Sequence, residues 1–533
     1  MVKNYYKIFF ILSIAFICSI FCASSHATQS ISVVALTWNM GNKAAQDPLV
    51  DDLIKAIKTN GAPDVIMLGT QEELAEASKQ LNNKLLAQLK KRGTKYTLIE
   101  NSHKTSAGAG NAAKTAAVSI LQTTRLSKAL NLPQNRTSLS IFVKEGYAFK
   151  SINKEIYYPP EIGTGNNTFI VIEGDLQKVG DPNVLSIAAS SVHLNSFSDK
   201  TRRLHANVFF QNHFESFPNY ADLLKEAKRF DVIMGDFNER EYLMKDSSVV
   251  DRGYLTNFGA YGYDFSQAQE KPSHVYGTYG FTDTFGTVSR FLKAAPIKDP
   301  RDRPHNAKGG FLDRITFTSG LFIESPFNQY GAVLDPKKFK QGKKILYSRS
   351  DHLPVVRYFK ITMAKGDMAD DRIVKRYILR RLPNFAHEIA DIQKLTNLEN
   401  PTRNQLQSAA KSLMFYDIKD TPDQFLEKFS PLKSSKDSAT LFVNSLKEKE
   451  EELKKLQQSV KDLQDKINTS QDPKFLLQVY NKFTSCNRDR NEALERIDDK
   501  KSTLKWYVPT TLPESSFHCY DSVVRSLLTP AGG

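Results

Sequence analysis

Six polar clusters in this chain sit at the ends of apolar runs: Trp38-Asn39, Gln71-Glu72, His193, Gly235-Asp236-Phe237-Asn238, Asp313-Arg314 and Asp351-His352. Their donors are carboxylate and amide oxygens with a few imidazoles, the set that suits a hard divalent cation and serves zinc poorly. A Mg²⁺ ion held by one or two protein oxygens keeps room for water and for the oxygens of a phosphate ester, whose developing charge it can offset. Singly, each cluster has a plainer reading. Asp236 and Asn238 could cap a turn, Asp313-Arg314 could be a buried ion pair, and His193 could be a satisfied core histidine. The ordered set is what points to phosphate-ester hydrolysis.

Positioning such groups requires elements that end at one rim. From Ser30 onward short β-rich runs alternate with amphipathic stretches, as in an α/β or α+β domain. Strands are predicted over Ile31 to Leu36, Val65 to Leu68, Thr168 to Leu176, Leu185 to Val192, Val232 to Met234 and Val355 to Ile361, and helices over Leu49 to Lys58, Leu74 to Leu89 and Lys200 to Phe214. Apart from Asp313-Arg314, each polar cluster follows or flanks one of these runs. The spacing predicts a catalytic domain over residues 28–364.

The order and spacing of the clusters resemble the endonuclease/exonuclease/phosphatase superfamily, and within it the inositol polyphosphate 5-phosphatases. VALTWNMGN (34–42) resembles the first family motif and APDVIMLGTQEE (62–73) the metal-binding glutamate motif. SSVHLNSF with TRRLHA, VIMGDFNER, FLDRITF and SRSDHLPVV resemble the later motifs in order, and IGTGNNTFIVIEGDL resembles a shortened Gly-rich strand. The resemblance implies a two-sheet β-sandwich flanked by helices, a four-layer fold like that of DNase I. It implies that Glu72 is the main Mg²⁺ ligand, with Asn39 close by or coordinating through water. Asp236 would orient and deprotonate the attacking water, with His352 as the competing proton acceptor. Asn238 and His193 would donate to the phosphoryl oxygens, Asp313 would orient neighbouring groups, and Asp351 would fix the tautomer of His352. The chain departs from the family at Gly309-Gly310-Phe311-Leu312, where Pro-Ala-Trp-Cys is usual. Arg203, Arg301, Arg303, Lys308, Lys343 and Lys344 are candidates for contacting further substrate phosphates, with solvated loop charges as the rival reading.

The formal charge of +15 over 533 residues points to anionic partners. Phosphoinositide or inositol phosphate substrates, an anionic membrane surface and, under a nuclease reading, nucleic acid all fit. Two basic runs carry no acid, Asn101 to Lys144 and Pro336 to Ser350. The first reads as a solvated face; the second leads into Asp351-His352 and reads as facing an anion. Residues 1–27, with Lys3 and Lys7 before the uncharged run Ile8 to Ala23, have the layout of a signal peptide cleaved after Ala27, which predicts a secreted or periplasmic protein. The rival is an uncleaved anchor, for which the run is short. Cleavage leaves Cys486 and Cys519, either a disulfide or two unrelated buried thiols.

After Lys365 the β signals fade, and residues 365–533 read as a helical C-terminal domain. Leu446, Leu453, Val460 and Ile467 recur every seven residues, with Leu456 and Leu463 on the complementary seam, a short coiled-coil-like helix. Ser445 and Glu448 form a candidate capping box at its start, giving a helix of roughly 33 Å. The seam fits either an intramolecular hairpin or self-association, and Lys449 within it weighs against the latter. His518-Cys519 and Arg525 mimic a cysteine-phosphatase spacing, but the intervening residues lack the glycines that let backbone N–H groups encircle a phosphate.

These features predict a secreted Mg²⁺-dependent phosphatase acting on a phosphate monoester, the 5-phosphate, of phosphoinositides or inositol polyphosphates. The alternatives are a DNase I-like nuclease or a sphingomyelinase-like phosphodiesterase on the same scaffold, and a catalytically retired scaffold acting through its helices.

Overall fold

The computed structural model describes residues 30–41, 47–73, 77–104, 136–157, 168–194, 216–238, 261–264, 280–282, 288–291, 312–326, 330–332, 340–341, 344–345, 350, 352–362, 369–398, 436–498 and 518–529, with 202, 206, 208–210 and 214 between them. Among these the strands are β1 (Ser30–Asn39), β2 (Val65–Glu73), β3 (Tyr96–Lys104), β4 (Arg136–Lys144), β5 (Tyr147–Tyr157), β6 (Thr168–Lys178), β7 (Val184–His193) and β8 (Phe230–Asp236). They continue with β9 (Gly280–Thr282), β10 (Val288–Phe291), β11 (Asp313–Thr318), β12 (Phe322–Glu324), β13 (Tyr330–Ala332), β14 (Lys340–Gln341), β15 (Lys344–Ile345) and β16 (Val355–Thr362). The helices are α1 (Asp47–Ile57), α2 (Ala77–Lys91), α3 (Tyr220–Ala227), α4 (Asp370–Leu379), α5 (Ala386–Thr396), α6 (Lys436–Thr469), α7 (Pro473–Asp498) and α8 (His518–Leu528).

Two mixed sheets pack face to face. One runs β12-β16-β1-β2-β4-β3, with β13 also on β16; the other runs β11-β8-β7-β6-β5. Strand alternation explains the layers. Ile31, Val33 and Ala35 of β1, with Val65 and Met67 of β2, meet Ile187 and Ala189 of β7 and Val232 and Met234 of β8 across the sandwich. The intervening Val34, Leu36 and Trp38 face α1 and α2 on the outside. With both faces covered, β1 reads as a nearly unbroken apolar run. Its parallel pairing with β2 requires a crossover, and α1 supplies it, burying Leu49, Val50, Leu53, Ile54 and Ile57 on one stripe. The outer face of the second sheet is covered by an aromatic layer of Phe209, Phe210, Phe214, Tyr261 and Tyr263. The fold is thus the two-sheet sandwich with flanking helices that the family resemblance implies, followed by C-terminal helices.

Strands β3, β4 and β5 were not among those anticipated. β3 and β4 overlap the two ends of the acid-free run 101–144, and β5 follows it.

The C-terminal helices share the sandwich core. Tyr480 of α7 stacks on Phe217 just before α3, and the Asn481 amide both accepts from the Phe217 N–H (2.9 Å) and donates to its carbonyl (2.8 Å). Tyr377 of α4 donates to Glu226 of α3 (3.0 Å), and Arg376 donates to the Gly320 carbonyl (2.7 Å). Helix α6 corrects the capping box at Ser445 and Glu448. It starts at Lys436, so Ser445 is interior, and its 34 residues span about 51 Å rather than 33. The seam residues Leu446, Leu453, Leu456, Val460, Leu463 and Ile467 are all buried within the chain, and Lys449 is buried with them, its ammonium paired to Glu452 one turn on. Cys486 of α7 and Cys519 of α8 are disulfide-bonded across a Cα separation of 5.9 Å. Arg525 is paired with Asp521 at 2.8 Å. Both facts remove the cysteine-phosphatase spacing from consideration. No described helix is long and apolar enough to cross a membrane, and residues 1–29 lie outside the described residues.

Candidate active site

The rows of side chains that face the sandwich core turn polar as they reach one rim. On β1 the inward row is Ile31, Val33, Ala35, Thr37 and then Asn39; on β7 it is Leu185, Ile187, Ala189, Ser191 and then His193. On β8, Val232 and Met234 lead to Asp236, and on β11 Asp313 precedes Ile315 and Phe317. Register aligns these ends: His193 lies opposite Asp236, and Asp236 opposite Asp313. The periodicity that builds the core therefore delivers the polar residues to a common floor.

The contacts form one connected set. Asn39 Nδ2 donates to Asp236 Oδ2 (2.9 Å) and to Glu72 Oε1 (3.3 Å), bridging two carboxylates from different sheets. Its Oδ1 accepts from the Gly41 N–H (3.0 Å), which fixes the orientation of the amide. His193 Nε2 lies 3.4 Å from Glu72 Oε1 and 3.8 Å from Asp236 Oδ2. His352 Nε2 lies 3.8 Å from the same Asp236 oxygen, and its Nδ1 is 2.8 Å from Asp313 Oδ2. Asp236 Oδ1 accepts from the Asn238 N–H (2.8 Å), and the Asn238 amide donates to the Leu194 carbonyl (2.7 Å).

Asp313, which is fully buried, holds His352 Nδ1 and so orients its ring. Asp351 lies outside the described residues, as do Arg203, Arg301, Arg303, Lys308 and Lys343. Lys344 is placed in β15, paired with β14 through Gln341.

Two backbone features hold the floor in place. Glu72 (φ 47°) and Asn238 (φ 51°) are left-handed, the only such non-glycine residues among those described. This conformation is tolerable for Asn and strained for Glu, at about 1–2 kcal/mol, and such outliers cluster at functional sites. Gly235 has φ 154°, and a Cβ there would lie 1.9 Å from the Val192 carbonyl oxygen. Only glycine allows β8 to approach β7 at the step that aligns Asp236 with His193.

Several supporting residues carried no signal of their own in the sequence. Ser350 Oγ donates to the Asn39 carbonyl (2.7 Å) and accepts from the His352 N–H (3.1 Å), while Trp38 Nε1 donates to the His352 carbonyl (3.1 Å). Gln71 Nε2 bridges the sheets to Ser191 (3.1 Å) and Thr37 (3.2 Å). Trp38, Gln71 and Ser350 did fall inside the polar motifs, which was the available hint.

The donors fit a hard cation. Among the three carboxylates, Glu72 is 30% exposed at its side chain whereas Asp236 and Asp313 are buried, so Glu72 is the one open to incoming ligands. Its contacts to Asn39 and His193 are long, leaving it weakly committed. Asp236, Asp313 and His352 each offer an atom within 4.8 Å of the others, but Asp313 and His352 are engaged with one another. Asn39, with its oxygen held by Gly41, acts here as a donor between carboxylates. His193 Nδ1 is buried without a hydrogen-bond partner among the described residues.

No family model matches the chain, and no curated protein does. Solved structures similar to it include the inositol polyphosphate 5-phosphatase domain of SPsynaptojanin in complex with inositol (1,4)-bisphosphate and calcium ion. That similarity has 15% identity and a TM-score of 0.36, covering 71% of this chain and 98% of that one. A Cimex nitrophorin ferrous NO complex is similar at 14% identity and a TM-score of 0.34, covering 63% and 99%. The human nocturnin catalytic domain with bound sulfate is similar at 14% and 0.34, covering 63% and 98%.

Proposed function

We propose that this chain is an exported, divalent-cation-dependent phosphoric monoester hydrolase that removes a phosphate, the 5-phosphate, from phosphoinositides or inositol polyphosphates. The observation that carries the reading is the convergence of Asn39, Glu72, His193, Asp236, Asp313 and His352 on one rim, linked by direct contacts. A bare scaffold has no need to gather three acids and two imidazoles at one end of its core.

Glu72 would hold Mg²⁺, which when bound supplies positive charge against the phosphoryl oxygens. Asp236, fixed through both carboxylate oxygens by Asn39 and Asn238, orients the attacking water and takes its proton. With Nδ1 held by Asp313, His352 presents Nε2 to the reacting phosphate; His193, whose Nε2 lies beside Glu72, is the second imidazole donor. Water attacks directly, and no cysteine takes part, in keeping with the disulfide that engages both described thiols. The basic balance of the chain favours anionic head groups.

A substrate panel tests this. Purified protein lacking residues 1–27 is offered phosphatidylinositol 4,5-bisphosphate vesicles, inositol 1,4,5-trisphosphate, plasmid DNA and sphingomyelin, each with Mg²⁺. Phosphate release from either of the first two, at the 5-position, supports the proposal; nicking of DNA alone moves the assignment to a nuclease.

A further inference from the structure

Glu73 is an acid that the proposed chemistry does not use. It ends β2, is buried, and accepts hydrogen bonds from Ser138 Oγ on β4 and from Thr70 Oγ1 (3.3 Å) on its own strand. The register across β2 and β4 pairs Thr70 with Ser138 and Glu73 with Arg136, so Gln71 and Glu72 together face the single residue Thr137. This is a one-residue bulge. In a regular strand residues three apart point to opposite faces; the bulge is what brings Thr70 and Glu73 to the same side. Gln71 meanwhile points into the sandwich toward Ser191, and Glu72, left-handed between them, turns toward Asn39 and His193.

We infer that the Glu73 carboxylate is a positioning group: by gripping the Ser138 and Thr70 hydroxyls it closes the β2 bulge and holds Glu72 in the left-handed conformation that aims its carboxylate at the cation site. This rests on the assignment of Glu72 as the cation-holding residue. The latch spans the bulge, with one hydroxyl on the partner strand and one just before the extra residue. It gives a role to a buried acid that grips two hydroxyls, and Ser138 is itself steadied by Ser78 of α2 at 3.5 Å.

Calorimetric titration of Mg²⁺ into the purified protein without substrate gives a readout independent of turnover. Outer partners of this kind shift metal affinity by about 10–100-fold, so Glu73→Ala is expected to weaken Mg²⁺ binding at least tenfold and Ser138→Ala by a smaller factor. Glu73→Gln keeps an acceptor for one hydroxyl and is expected to recover most of the affinity. Raising Mg²⁺ restores turnover of Glu73→Ala, a KM effect for the cation rather than a loss of kcat. Wild-type affinity in Glu73→Ala overturns the inference. If that variant does not fold, the pair Ser138→Ala and Thr70→Val decides, and unchanged affinity there overturns it equally. Glu72→Ala separates the two levels: if it binds Mg²⁺ like wild type, the cation assignment itself fails, whereas loss in Glu72→Ala with none in Glu73→Ala removes only the latch.

Discussion

Replacing Gly235 by Ala perturbs a close approach of the two functional strands. A Cβ built there sits 1.9 Å from the Val192 carbonyl oxygen and 2.8 Å from Val192 Cγ1, and the first of these is backbone that cannot rotate away. Real Cβ contacts begin near 3.0 Å, so β8 must part from β7 by about 1 Å, and misplacement of that size costs about 10²-fold in rate. The next register pair is His193 with Asp236, so the displacement falls on the proposed base and its neighbour. Stability falls as well, by about 2–5 kcal/mol from overpacking and from a φ of 154° that side chains disfavour. The assay is kcat/KM on inositol 1,4,5-trisphosphate with Mg²⁺, alongside urea unfolding followed by circular dichroism. A Gly235→Ala protein within about threefold of wild-type kcat/KM would refute the reasoning, because the close approach would then be irrelevant to the alignment.

Removal of Asp313 by substitution to Ala frees the His352 ring and is expected to lower kcat by about 10²–10⁴-fold with little change in KM, measured by steady-state kinetics. Asn481→Ala deletes both hydrogen bonds to Phe217 and is expected to cost about 1–3 kcal/mol in urea unfolding, because the helices and sandwich share one core. Burial holds the phenols of Tyr263, Tyr377 and Tyr480 above the ordinary value of 10.0. The unfolded chain therefore releases these protons first, so their contribution is intact below pH 10 and is lost as pH rises further; the urea midpoint should fall above about pH 10, and a midpoint constant to about pH 11 would contradict this.

The core strands of the sandwich were legible because both faces of β1, β2, β7 and β8 are buried and their apolar runs are nearly continuous. The polar ends of those runs were legible for the same reason, since a carboxylate or imidazole that ends an apolar strand stands out. What could not be read depends on neighbours far along the chain. Ser350 reaches Asn39 across 311 positions, and Asp313 reaches His352 across 39, separations that no local motif displays. The bulge at Glu72 leaves no trace in composition, because it exists only relative to β4. Ser445 and Glu448 have capping-box spacing, yet α6 begins nine residues before Ser445, at Lys436, so that local signal does not mark its start.

The cation-and-water chemistry is tested most directly by phosphate release in H₂¹⁸O under single turnover, with wild type, Glu72→Ala and Asp236→Ala compared with and without a chelator. The expected result is one ¹⁸O in each phosphate released by the wild type, abolition by chelator, and at least about 10²-fold loss in both variants. Turnover that persists through chelation and through loss of both carboxylates would contradict it.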